Sequence, residues 1–398
     1  MPVAFRILAL APNAWDGPWM NRQHLLSRLA TDHAVVYSNG AWPSWDRRTA
    51  AYAESPLLGR FDHSDGVTVD QRARLLVRVP RFPHLDELAI RVACVRWRER
   101  MSQDRGPLIA YIFHPEFLPF VKELKADYVV YHAYDLFRFM GKNPARIERD
   151  ENQLLESADL VIATSEETAK DFRARTKRHI EVLGNGVDWS RFVMDPRPPD
   201  PPEFAHIPRP RIGYVGAINE KVDLDLILDL ARRQSTWQFV LVGPVRNVLP
   251  ADADVLEAFK TCSNIHLIGA VPQHRTPETL LNLDVGLVCY RGLRWTLAGY
   301  PLKMLEYLAC GLPVVASNLP AVREFREAIA IANSTEEWES ALSAATNGQG
   351  KGDPSSRLAV AKANSWDMRA ARLNVLLQEM VSHRMATERD FLRVKRAA

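Results

Sequence analysis

Seven prolines fall within residues 195–210, in the run DPRPPDPPEFAHIPRP, and no helical or strand period survives there. Proline fixes φ and removes a backbone donor, so this run favours extended chain and reads as an interdomain linker. On both sides of it, short apolar runs alternate with amphipathic ones, the pattern of parallel sheets with helices on both faces. Before the linker the expected strands are 4–10, 33–38, 73–79, 107–113, 127–132, 159–163 and 179–183, with helices at 21–30, 85–101 and 143–157. After it they are 211–218, 237–243, 264–269, 284–290, 313–317 and 328–332, with helices at 223–234 and 301–310 and a polar loop at 347–356. A chain of 398 residues is too long for one ordinary core. The expected plan is therefore α/β throughout: an N-terminal domain 1–194, the linker 195–210 and a C-terminal domain 211–365. A helical segment, 366–398, packs back toward the N-terminal domain and ends in a basic tail at 389–396. Ligands of such sheets bind outside the carboxyl ends of the strands, which puts the expected site in a cleft between two doubly wound domains.

Composition narrows the function. The apolar fraction of 47 % and charged fraction of 25 % are ordinary for a soluble globular protein, and a net charge of +3 gives no case for nucleic acid as the partner. Cys94, Cys262, Cys289 and Cys310 are far apart with no CxxC, which argues for reduced thiols in a cytoplasmic protein rather than a zinc site or disulfide framework. The apolar run at 3–11, broken by Arg6, reads as a first strand and not a leader, and no run is long enough to span a bilayer.

The richest segment is 300–325, YPLKMLEYLACGLPVVASNLPAVREF. Pro301 suits the first turn of a helix, and Lys303, Glu306, Tyr307 and Cys310 then share one face. Gly311 supplies the left-handed cap and Pro313 blocks continuation. A lysine and a glutamate near a helix N-terminus suit a nucleotide sugar: cation and dipole attract phosphate, while the carboxylate accepts from ribose hydroxyls. A plain surface ion pair is the other reading. In the first half, His114 (YIFHPEF) and His132 with Asp135 (YHAYD) stand at carboxyl ends of expected strands, where Asp135 suits orienting a hydroxyl or taking its proton. Asp16 and Gly17 lie in the first strand–helix loop, Asp16 as an acceptor-side or base candidate or as a loop cap. Asn185-Gly186 is a turn signal, and Asp223-Leu224-Asp225 opens a helix, where aspartate is a common cap rather than a metal clamp. Residues 72–105 hold nine arginines against four acids, mixed with Phe82, Trp97 and aliphatics. That is either a face for anionic lipid or a basic helix on a soluble domain. No GxGxxG, P-loop or GxSxG motif is present.

Taken in order, the loop–helix WxxxWMNRQHLLSRLA, the pair ESADLVIATSEE and LGNGVDWSRF, the strand–loop GYVGAINEKVDLDLI and PLKMLEYLACGLPVVAS resemble GT-B glycosyltransferases over nearly the whole chain. The nearest resemblance is to bacterial group 1, family 4-like enzymes of cell-surface polysaccharide synthesis, teichuronic-acid type included. The resemblance implies two Rossmann-like domains facing across a cleft. It also implies a nucleoside-diphosphate sugar as donor, with no further cofactor and no metal, and a saccharide or lipid-linked acceptor. By position it assigns Glu306 to the ribose, Lys303 and Lys221 to the diphosphate, Gly216 to close backbone approach to phosphate and Val271 to the base. His132 matches a histidine close to the reacting sugar, and the N-terminal domain is to hold the acceptor, His114 and Asp16 included. Two departures stand out: Ala298 replaces the second glutamate of retaining members, and Ala217 replaces an arginine, so Arg291 or Arg294 is expected to supply the lost charge. The implied activity is hexosyl transfer, cytoplasmic or peripheral to the membrane. A sugar-nucleotide epimerase or hydrolase on the same fold, or a non-catalytic partner in a polysaccharide assembly, remain the alternatives.

Overall fold

The computed structural model describes residues 3–140, 143–194 and 196–397, with side chains through Arg384. The chain divides into two compact units, Met1–Leu183 with Arg369–Ala398, and Gly184–Met368. The side chains of the expected basic tail and residue 195, at the head of the expected linker, lie outside the described residues.

In the first unit the strands are β1 (Arg6–Leu10), β2 (Ala34–Ser38), β3 (Trp42–Pro43), β4 (Arg60–Ser64), β5 (Val67–Gln71), β6 (Val77–Arg78), β7 (Leu108–Ile112), β8 (Tyr128–Ala133), β9 (Leu160–Ala163) and β10 (Ile180–Val182). Eight of them make one sheet, ordered β10-β9-β8-β7-β1-β2-β5-β4. All its pairs are parallel except β4 with β5. Ile7, Leu8, Ile109, Ala110 and Ile112 are completely buried, as strands covered by helices on both faces must be. From β1 the chain crosses by helix Asn21–Leu29 to β2 on one side, while β7 pairs with β1 on the other. The strand order thus reverses at β1, and the loops after β1 and β7 part there.

One expected strand is corrected. Residues 73–79 hold only the two-residue β6, which pairs with β3 apart from the main sheet. The strands in this region are β4 and β5, a hairpin turning at Asp65 and Gly66, both at positive φ. That Asp-Gly pair is the sequence signal that marks it.

The second unit contains β11 (Arg211–Val215), β12 (Gln238–Val242), β13 (Ile265–Gly269), β14 (Val285–Val288), β15 (Val314–Ser317) and β16 (Ala330–Ala332). They form one parallel sheet, β13-β12-β11-β14-β15-β16, reversing between β11 and β14. Helix Leu302–Ala309 packs on β14 because Gly286 has no side chain: a Cβ there would lie 2.5 Å from the Tyr307 ring. The Val215 N–H donates to the Tyr307 hydroxyl at 2.9 Å, fixing the helix against the end of β11. Met304, Leu305 and Leu308 are fully buried on the same helix, each worth about 1.5–3 kcal/mol of apolar burial.

The proline-rich segment lies within this second unit. Phe204 and Ile207 are buried in its core, and Arg211 is clamped by Asp200 at 2.7 and 2.8 Å and by the carbonyls of Phe204 and Ile207. The run expected as an interdomain linker is thus part of the second unit, because its apolar residues join that core. The final helix, Trp366–Ala397, is tied to the first unit from Arg369 onward: Asn374 Oδ1 meets His33 Nε2 at 2.9 Å, and Arg384 donates to the Asp127 carbonyl at 2.7 Å.

Candidate functional site

The strand-order reversal of the second unit holds a lysine that makes no ion pair among the described residues. Pro301 is the N-cap, one position earlier than expected, so Lys303 lies in the first turn of helix Leu302–Ala309. Its residue is 8 % exposed and its Nζ has no hydrogen-bond partner. The amine rests 3.4 Å from the Tyr214 ring centroid and 5.4 Å from that of Tyr290, residues just before the end of β11 and just after β14. Room for it comes from Gly216 at φ 137, where a Cβ would lie 2.8 Å from Lys303 Nζ. A side chain at 216 and an amine in this niche exclude each other, which explains a glycine at that position.

Burial, and next the Lys221 ammonium, hold the Lys303 amine well below the ordinary lysine range. Lys221 Nζ lies 5.0 Å over the Tyr290 ring, so one ring serves both lysines. Aromatic faces attract a cation but do not neutralise it. A buried amine at the positive end of a helix, beside a second lysine, is poised for an anion. One turn on, Glu306 is half-buried; burial raises its carboxyl above the usual carboxylate value while Lys303 and Arg191 oppose the rise. Arg191 comes from the LGNGVDWSRF segment, whose glycines serve packing: a Cβ at Gly184 would meet the Tyr300 ring at 2.8 Å, and one at Gly186 the Trp366 nitrogen at 2.9 Å.

The other residues expected here are placed less centrally. Val271 is half-buried just beyond β13, on the same carboxyl edge of the sheet as Gly216. Arg294 is exposed and opens a short helix, Arg294–Ala298. Arg291 does not stand free for phosphate: its guanidinium holds Asp252 at 2.7 and 3.1 Å and Asp225 at 3.1 Å. Asp223 caps helix Leu224–Arg233 by accepting from the Leu226 N–H at 3.1 Å, so both aspartates of the DLD run have structural partners. Tyr214 and Tyr290 were missed by sequence reasoning, because aromatics in expected strands read only as core.

In the first unit the strand ends carry neutral histidines. His132 is 1 % exposed, its Nδ1 lies 2.7 Å from the Tyr111 hydroxyl, and its ring stacks on Phe113. Burial pushes its pKa down to about 3, so at neutral pH it is an uncharged imidazole whose Nε2 has no partner. That suits accepting from or donating to a sugar hydroxyl, not carrying a positive charge. His114, lowered to about 4 by burial, accepts from the Glu116 N–H through Nδ1 at 3.2 Å and meets Phe137 edge-on. Asp135 is half-buried two residues beyond β8, and Asp16 is exposed in the loop after β1. A further group had no sequence signal: Arg22, 1 % exposed at the start of helix Asn21–Leu29, lies 5.2 Å over the Tyr134 ring with Nε and Nη1 unpartnered.

Residues 209–347 match the family model of the glycosyl transferases group 1. Over 184 residues the chain is 25 % identical to TuaH of Bacillus subtilis (strain 168), which bears the name of a teichuronic acid biosynthesis glycosyltransferase. That match covers 46 % of this chain and 46 % of the relative, so it spans about half of each. Among solved structures, Anabaena Alr3699/HepE in complex with UDP superposes with a TM-score of 0.65 at 14 % identity, covering 94 % of this chain and 100 % of that one. Sucrose-phosphate synthase from Thermosynechococcus elongatus gives 0.67 at 15 %, covering 95 % and 100 %. These likenesses fix the fold as GT-B.

Proposed function

We propose that this chain, which has the GT-B fold and matches the group 1 glycosyl transferase model over residues 209–347, moves a sugar from a nucleoside-diphosphate sugar to an acceptor hydroxyl, in cell-surface polysaccharide or glycolipid synthesis. The observation that carries this reading is the unpartnered Lys303 amine in the niche made by Gly216, one helical turn from Glu306. Negative charge builds on the diphosphate as the glycosidic bond breaks. A fixed ammonium there, backed by Lys221 and the helix terminus, stabilises that charge with no reorganisation at the moment of reaction. In this reading no metal ion is required for that task. Glu306 anchors the ribose, Val271 lies by the base, and Arg294 is an outer cation. On the first unit His132 bonds a sugar hydroxyl through Nε2, while Asp16 and Asp135 are the carboxylates for the acceptor and His114 shapes its surroundings.

Titrating UDP, GDP, ADP and dTDP into the protein tests the donor half. One diphosphate binds, and Glu306→Ala weakens it about 10- to 100-fold, the loss of charge-assisted bonds to ribose. No binding of any of the four contradicts the reading. Incubating the matching nucleotide sugar without acceptor, followed by NMR, leaves it unchanged; an epimer would favour the alternative chemistry.

The acceptor is further read as one presented at a membrane surface, on the strength of one helix face. Leu85, Leu88, Val92 and Val95 are all exposed along helix Pro83–Arg100, beside exposed Phe82. Here the structure alters the expectation, because most of the arginines turn inward: Arg78 pairs with Asp86 at 2.8 Å, Arg96 with Asp70 at 3.1 Å, and Arg98 donates to backbone carbonyls. Contact would rest on the apolar stripe more than on charge. Among the described residues no helix is long and apolar enough to cross a membrane. Flotation with phosphatidylcholine–phosphatidylglycerol vesicles should persist at high salt and be lost in Leu85→Ser/Leu88→Ser; no flotation at any salt removes the idea.

A further inference from the structure

On one face of the first sheet a phenol and an imidazole close on each other. β7 and β8 run parallel with Tyr111 opposite Val130 and Ile112 opposite Tyr131. Because side chains alternate along a strand, that register sets Tyr111, Phe113 and His132 on the same face. Tyr111 is completely buried, and its hydroxyl lies 2.7 Å from His132 Nδ1, its one hydrogen-bond partner among the described residues. Phe113 stacks on the imidazole with 5.6 Å between centroids and offers no polar atom.

The pair holds two hydrogens, and their positions can be worked out from what each placement leaves unpaired. Burial holds the Tyr111 phenol well above its ordinary range, so it keeps its hydrogen. Burial pushes the His132 pKa down to about 3, so the neutral ring carries one hydrogen, on Nδ1 or on Nε2. Placed on Nδ1, that hydrogen points at the phenol oxygen. The phenol hydrogen then has no acceptor and Nε2 has no donor, so two buried groups go unsatisfied. Placed on Nε2, it frees Nδ1 to accept from the phenol, and Nε2–H is the single group left over. An unmade bond in a buried site costs far more than a made one gains, so the second placement wins.

Resting on the transferase reading above, we propose that Tyr111 is a positioning residue that locks His132 in the Nε2–H tautomer, so that His132 serves the reaction as a hydrogen-bond donor and is barred from acting as its base. A base needs a free lone pair on the atom that takes the proton. Here the lone pair of Nδ1 is occupied by the phenol, and Nε2 already bears a hydrogen. Taking the proton of an attacking hydroxyl is then a task for a carboxylate.

Long-range proton–nitrogen NMR on the full chain, labelled with nitrogen-15 at histidine and held at pH 7, provides the test. The His132 pattern is identified by its loss in His132→Gln or, should that variant not fold, by contacts between the imidazole and Phe113 ring protons. In the wild type Nδ1 resonates as an unprotonated nitrogen and Nε2 as a protonated one. Tyr111→Phe keeps the ring and removes the donor; the two nitrogen shifts draw together as the tautomers exchange, and turnover falls about 3- to 10-fold with diphosphate affinity unchanged. A protonated Nδ1 in the wild type, or a pattern that Tyr111→Phe leaves unmoved, overturns the lock. The wild-type spectrum alone decides the tautomer if Tyr111→Phe does not fold. A parallel titration with nucleoside diphosphates keeps the two claims apart: diphosphate binding together with a protonated Nδ1 sinks only this inference. The Nε2–H tautomer in a protein that binds no diphosphate upholds the lock and sinks the transferase reading.

Discussion

At the strand-order reversal of the second unit a buried amine waits over two tyrosine rings, whereas at the reversal of the first unit uncharged imidazoles accompany the buried guanidinium of Arg22, which lies over the Tyr134 ring. Both sheets reverse their strand order, and what differs among the described residues is the presence of buried neutral imidazoles in the first unit alone. On the proposed transferase reading, the difference matches the two partners of a glycosyl transfer. A leaving diphosphate gathers negative charge and needs fixed cations, while an acceptor is a neutral polyol that needs directed donors and acceptors.

The contrast is broken most forcefully at Lys303. Lys303→Met keeps the volume and removes the unpartnered amine. Turnover should fall about 100- to 1000-fold, and urea unfolding should show the free protein more stable by about 1–3 kcal/mol. A variant that is both less stable and still active would mean the lysine is structural. Gly216→Ala acts on the same niche from the other side. The new Cβ displaces the amine and the positive φ strains the backbone, so turnover should drop about 10-fold with roughly 1 kcal/mol of stability, read from kcat and thermal melts.

In the first unit the sharpest prediction concerns acid. The native His132 pKa is about 3 and the unfolded one about 6.5, so below pH 6.5 the unfolded chain binds a proton that the native chain refuses. Stability should therefore fall as pH drops from 6.5 toward 3. In His132→Gln, which can still meet the Tyr111 hydroxyl, the slope over that window should flatten; an unchanged slope would place the acid sensitivity elsewhere. The smallest effect is expected at Arg291. Arg291→Ala should cost about 1–3 kcal/mol through Asp252 and Asp225 yet leave nucleotide affinity unchanged, as calorimetry would show.

How far these regions were legible follows from where their information lies. The helix Leu302–Ala309 was readable because Lys303 and Glu306 stand at helical spacing and Gly311 and Pro313 close by mark its end. Strand positions were readable wherever burial on both faces made apolar runs. The β4–β5 hairpin escaped because its residues RFDHS and VTVDQ are polar, although Asp65-Gly66 marked the turn. The proline-rich run was rightly seen as aperiodic, but composition does not say that Phe204 and Ile207 join the second core. Arg291 looked like a free cation because its partner Asp252 is 39 residues away in sequence. The tyrosines over the amine and the unpartnered guanidinium nitrogens of Arg22 depend on three-dimensional neighbours that no local pattern encodes.

The central claim is that Lys303, whose buried amine is held well below the ordinary lysine range, gains its anionic partner when a diphosphate arrives. Its direct test is calorimetric titration of the tightest-binding nucleoside diphosphate at pH 8.5, above the titration of the phosphate itself, in two buffers of different ionisation enthalpy. The wild type should take up protons on binding, with affinity that falls as pH rises further, and Lys303→Met should bind at least about 10-fold more weakly with that uptake gone. Equal affinity and equal proton uptake in the two proteins would contradict it.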